Sequence, residues 1–88
     1  MIDKEFGVIT FKSTNHAMKS ETVFKGEDIK FRMIPTPREI THSCGLAIKF
    51  DLKDTDLAKT IVSTNKLDIE GMFKVVKMGK DSFAEKIS

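Results

Sequence analysis

A chain of 88 residues, 40% apolar and 32% charged, has material for one modest core and leaves no room for a second domain. Its longest apolar runs are a few residues, far short of a membrane-spanning helix. The formal charge of +2, with lysines scattered among acids, describes a solvated surface rather than a nucleic-acid footprint.

The single cysteine cannot form an internal disulfide, and the opening MIDKEF lacks the basic-then-apolar order of a secretory signal. Together these point to a reducing cytoplasm. Residues 1–88 are read as one domain, with a core over 6–77 and a polar tail over 79–88.

The first predicted element is a buried strand over 6–11, FGVITF, rich in β-formers. Ser13 follows where a helix N-cap belongs, because its hydroxyl can accept from an early orphan N–H. A helix over 14–25 places Ala17, Ser20 and Phe24, with Met18 at their flank, on one side, and Gly26 stops it. A strand over 29–34 points Ile29, Phe31 and Met33 one way and Lys30 and Arg32 the other. Pro35 ends it by removing a donor.

A second strand over 46–50 has Leu46, Ile48 and Phe50 in phase. Asp54, Thr55 or Asp56 caps a helix carrying the stripe Leu57, Ala58, Ile61 and Val62, the clearest periodicity in the chain. A strand over 69–77 has Ile69, Phe73 and Val75 in phase, and the tail from Gly79 frays or adds a helical turn. Met18, Met33 and Met72 are assigned to packing. The order β-α-β-β-α-β predicts an α+β ferredoxin-like sandwich: a four-stranded antiparallel sheet with two helices on one face. Such a fold hosts many functions, so function must be argued from a site.

The candidate site is the loop over 35–45, which holds both prolines and the one thiol, Cys44, beside Gly45. Its length exceeds what a hairpin needs, and its two prolines stiffen the entry. Gly45 permits positive φ and the close approach of another backbone. Arg38 and His42 can both lie near the sulfur, where a cation favours the nucleophilic thiolate. Packing Cys44 into the core is the structural alternative, since a lone cysteine is commonly a small buried hydrophobe.

A metal centre would need about four ligands, and Cys44, His42 and His16 supply too few without carboxylates, so no metal or other cofactor is expected. A hydrolytic nucleophile would need a base and an orienting group. His42 or His16 can be the base, but no third member stands out. A carrier thiol needs only an accessible cysteine of lowered pKa, a flexible segment and a docking surface.

The segments FKSTNHAMKSE and FRMIPTPREITHSCGLAIKF carry a more specific signal. Their Phe11, Ser13, His16 and Ala17, followed by Pro35, Pro37, Arg38, Ile40, Cys44, Gly45, Ala47 and Phe50, resemble a small bacterial family described as selenium/sulfur carrier-like. The resemblance covers roughly residues 6–76. It implies a persulfide or selenium-relay thiol at Cys44, and hence a carrier or accessory protein with protein donors and acceptors rather than a stand-alone enzyme.

In this reading Arg38, His42 and Gly45 serve the thiolate or an anion, with His16 and Ser13 as neighbours. The helix-start Cys-Pro-x-Pro of established small sulfur carriers is absent, so their helix-dipole route to a thiolate does not transfer. Two rivals remain. An RNA-binding module of the same topology would need rings where Leu46 and Ile48 stand, so no nucleic-acid partner is expected. A non-catalytic binding or regulatory module could homodimerise through a sheet face bearing Leu46, Ile48 and Met72.

Overall fold

The computed structural model describes residues 4–38, 40 and 45–87. The chain runs β1 (Lys4–Thr10), α1 (Thr14–Lys25), β2 (Phe31–Pro35), β3 (Leu46–Phe50), α2 (Thr55–Thr64), β4 (Gly71–Met78) and β5 (Asp81–Lys86).

Ser13 caps α1, its Oγ accepting from the His16 N–H at 3.3 Å. The helix buries Ala17, Ser20 and Phe24, whereas Met18 is turned to solvent at 56% exposure, against its expected place in packing. Position 18 follows Ala17 by one residue, about 100° round a helix, so it falls off the buried stripe. A single 3-10 turn, Leu52–Asp54, leads into α2, and Thr55 Oγ1 donates to the Leu52 carbonyl at 2.6 Å; the Asp54 side chain makes no capping bond. The expected stripe of α2 is narrower than its sequence: Ala58 and Ile61 are buried and Val62 half-buried, but Leu57 is exposed.

The strands form one sheet in the order β2-β3-β1-β4-β5, with antiparallel pairing between every neighbour. Both helices pack on one face, where Ala17, Phe24, Ala58 and Ile61 meet Ile9, Phe11, Ile48, Phe50 and Met72. Phe11 and Phe24 are wholly buried there, and each contributes roughly 1.5–3 kcal/mol of apolar burial. Phe24 also meets Phe31 edge-on at 5.6 Å between ring centres.

The sheet has five strands where the sequence predicted four. The tail does not fray: it turns at Gly79, φ +61, and Lys80, then returns as β5, with Val75 opposite Ala84 and Val76 opposite Phe83. A two-residue connection closes the hairpin, and glycine supplies the left-handed φ that its twist requires. In DSFAEK the face shared with Val75 carries only Ser82, Ala84 and Lys86, so little apolar alternation marks the strand. The other strand boundaries shift slightly: β2 starts at Phe31 and β4 at Gly71.

The face away from the helices holds a second cluster, Phe6, Val8, Ala47 and Val75 with Ile34, Phe73 and Ala84 at its edges. Phe73 and Val75 therefore share this side, whereas Ile69 packs against the helix-side core, correcting its expected phase.

Candidate functional site

The loop between β2 and β3 begins where their ladder ends. Pro35 pairs with Leu46, and the Thr36 N–H donates to the Gly45 carbonyl at 3.1 Å. The entering arm then turns, with the Ile40 N–H donating to the Pro37 carbonyl at 3.1 Å. Ile40, 6% exposed, seats among Phe6, Val8, Ala47 and Val75, which fixes this arm over the open face of the sheet. An apolar anchor of this size contributes about 1.5–3 kcal/mol, enough to hold a loop end in place.

Cys44 and His42 lie outside the described residues. Gly45, next to the thiol in sequence, is exposed; its φ is not left-handed, and an added Cβ would meet no atom of the described residues within 4 Å. The conformational reason for glycine expected from the sequence is therefore not in use, and what remains is a position that no other described residue crowds. Gly45→Ala is expected to change stability by less than about 0.5 kcal/mol in urea denaturation; a loss above about 2 kcal/mol would mean that glycine is needed by the backbone.

Ser13 and His16 sit at the start of α1, on the helix side. Ser13 Oγ lies 3.1 Å from His16 Nδ1, and His16 Nε2 lies 3.6 Å from Asp68, which Lys12 also approaches at 4.0 Å. Because Thr10 pairs with Ala47, β1 leaves the sheet at the end where β3 enters it, the same end as Gly45. The two residues are thus at the loop's end of the sheet but are engaged with each other and with Asp68, a partner the sequence reading did not name.

Arg38 is placed differently. It is exposed and lines a cavity of about 470 Å³ on the open face, together with Lys4, Lys49, Lys77, Phe6 and the loop's Pro35–Pro37 arm. Lys49 Nζ stands 4.5 Å from the centre of the Phe6 ring, a cation–π contact. Lys4, Lys49 and Lys77 were missed because charges were assigned a face only on the strand over 29–34, and Lys4 precedes the expected first strand over 6–11. Lys4 and Phe6 share a parity on β1, so the alternation that marks a strand also marks its charged partners. A smaller cavity of about 230 Å³ lies at the Phe31–Phe50 end of the β2–β3 pair, with Arg32 and Lys49 in its wall.

Leu46, Ile48 and Met72 all pack on the helix side. The apolar patch on which sheet-to-sheet dimerisation was considered is therefore absent from the open face at those positions.

The arrangement, an antiparallel sheet with two helices on one face and a basic cavity under a proline-stiffened loop on the other, is that of a small α+β protein. The chain belongs to the family described as "Putative Se/S carrier protein-like", which matches residues 6–74 and so includes both helices, the loop and the first half of β4. A curated relative, an uncharacterised protein of Methanocaldococcus jannaschii, is 38% identical over 48 residues, or 54% of this chain. The chain spans about a quarter of that relative's length, 24%. No solved structure matches the chain. No helix among the described residues is long and apolar enough to cross a membrane.

Proposed function

We propose that this protein is a sulfur or selenium carrier whose working group is Cys44. Membership of a carrier family carries the reading, and the placement of the loop arm supports it. Ile40 holds the segment leading toward the thiol against the sheet, beside a cavity whose titratable lining is all cationic. A positive field of this kind stabilises a thiolate over a thiol. Arg38 contributes to that field, His42 is assigned the same part, and Gly45, where an added Cβ would meet no described atom within 4 Å, lets a partner approach. Ser13 and His16, at the same end of the sheet but on its helix side, are the neighbours of the loop in this reading.

The transfer is a displacement without net redox change. The Cys44 thiolate attacks the terminal sulfur of a donor protein's persulfide; the new S–S bond forms as the donor's S–S bond breaks, and the donor cysteine leaves as a thiolate. Cys44 then carries the persulfide until an acceptor's nucleophile takes the outer sulfur and releases the Cys44 thiolate. Selenium follows the same course when selenium is the outer atom. The chain is a carrier acting between protein partners in the cytoplasm rather than an enzyme in its own right. Its fold is a single ferredoxin-like domain, β2-β3-β1-β4 with both helices on one face, extended by β5.

Alkylation of Cys44 in the native protein, followed against pH, tests the exposure and activation of the thiol. Labelling should be fast and should reach half its limiting rate at a lower pH than a free thiol does. Labelling that accelerates only on unfolding would place Cys44 in the core and end the carrier reading.

A further inference from the structure

The described strand acids lie on one face of the sheet and every described strand cation but Lys74 on the other. The register puts Lys4, Arg32, Lys49, Lys77 and Lys86 on the open side with Phe6, Val8, Phe73 and Val75. The strand acids Glu5, Asp81 and Glu85 have the opposite parity and lie on the helix side, where Glu5 meets Lys74 at 3.8 Å. No acid among the described residues lines the open-face cavity, and none of Lys4, Arg38, Lys49 and Lys77 forms an ion pair with a described carboxylate.

Two cation pairs stand directly opposite one another across the ladder, Lys4 with Lys77 and Arg32 with Lys49. Directly opposed like charges destabilise a sheet. An anion lying over them would convert that repulsion into attraction.

The spread of the cations limits what the anion is. Lys77 faces Lys4, and Lys49 faces Val8, on the two sides of β1. At roughly 3.3 Å per residue and 4.8 Å per strand, the backbones of Lys49 and Lys77 are about 16 Å apart. Long lysine stems reach inward from both ends, and Lys49 already lies over Phe6, between them. A lone tetrahedral anion could meet one end of this ring. A run of linked phosphates could engage Lys4 and Lys77 at one end and Lys49 at the other, with Arg38 supplied by the loop as a planar bidentate donor.

The geometry points to a binding site for a small polyphosphate on the open face of the sheet, the chemistry shared by inorganic polyphosphates and nucleoside triphosphates. The site requires the cavity and its cations but not Cys44, so it stands or falls apart from the carrier reading.

Calorimetric titration of the full chain at low salt, without magnesium, uses inorganic tripolyphosphate and ATP as probes. Tripolyphosphate should bind saturably and weaken as salt is raised. Lys4→Gln and Lys77→Gln should each weaken it roughly tenfold, the loss of one charge-assisted hydrogen bond. Both variants should melt no lower than the parent, since each also removes the Lys4–Lys77 repulsion. Lys59→Gln, on the exposed side of α2, and Cys44→Ser should bind as the parent does. ATP binding no tighter than tripolyphosphate would assign recognition to the phosphates alone, and tighter ATP binding would name a nucleotide as the source. Absence of saturable binding by both probes would overturn the site, as would an equal loss in Lys59→Gln, which would reduce the effect to overall charge.

Discussion

Gly7→Val is expected to destabilise the protein by about 3 kcal/mol or more and to lower its melting temperature by at least about 12 °C. Local propensity argues the other way. Gly7 lies inside β1, where glycine is a poor strand former and valine a good one, a difference of order 1 kcal/mol in valine's favour. Packing decides the sign. Gly7 is buried directly opposite Phe50, and the first carbon of any side chain would overlap the Phe50 ring at three of its atoms.

Phe50 cannot simply move aside, because it is 2% exposed, pairs with Phe31 and sits in the same core as Phe24 and Met72. A close-packed interior transmits such a displacement rather than absorbing it. For a protein whose total stability falls in the usual range of about 5–15 kcal/mol, this loss is a large share. The cause is checked by a double-mutant cycle with Phe50→Leu, which removes the ring. Valine at position 7 should cost less in that background, by about 1 kcal/mol or more of coupling. Additive losses would mean that strand geometry, not the ring, excludes a side chain.

The contrast with Gly45 shows which parts of the fold the sequence made legible. The clearest periodicity, the α2 stripe with Ala58 and Ile61 at its buried centre, and the Leu46-Ile48-Phe50 phase declared themselves because burial repeats at the spacing of the backbone. β5 did not, since its only large apolar residue, Phe83, is 56% exposed on the face opposite Ala84, and its pairing comes from a turn and a neighbour rather than from its own pattern. The two glycines look alike in sequence, yet one is required by a ring distant in the chain, whereas a Cβ added at the other would meet no described atom within 4 Å.

The site was legible in part. The loop over 35–45 stood out by its prolines, its length and its cysteine; the fastening of its arm at Ile40 is a finding of the structure that the sequence reading did not include. The lysines that accompany Arg38 come from β1, β3 and β4 and converge only through the register of three strands. No local window contains them. The expected dimer patch failed for a related reason: alternation shows that Leu46, Ile48 and Met72 share a side, but not which side the helices cover.

The second large effect concerns the thiol itself. Cys44 is the only cysteine in the chain, so a carrier role admits no substitute and Cys44→Ser should abolish loading rather than reduce it. Serine keeps the shape but lacks the sulfur nucleophile on which persulfide exchange depends. The variant should fold with its Ile40 anchor and its open-face cations unchanged, which its melting temperature and its tripolyphosphate titration will show.

The decisive measurement is the intact mass of the protein after incubation with a persulfide-loaded donor protein. The account predicts a gain of one sulfur atom on the parent chain, removed by a thiol reductant and absent from Cys44→Ser. A folded parent whose Cys44 alkylates readily yet gains no sulfur, or an equal gain on Cys44→Ser, would contradict the assignment of Cys44 as a carrier thiol.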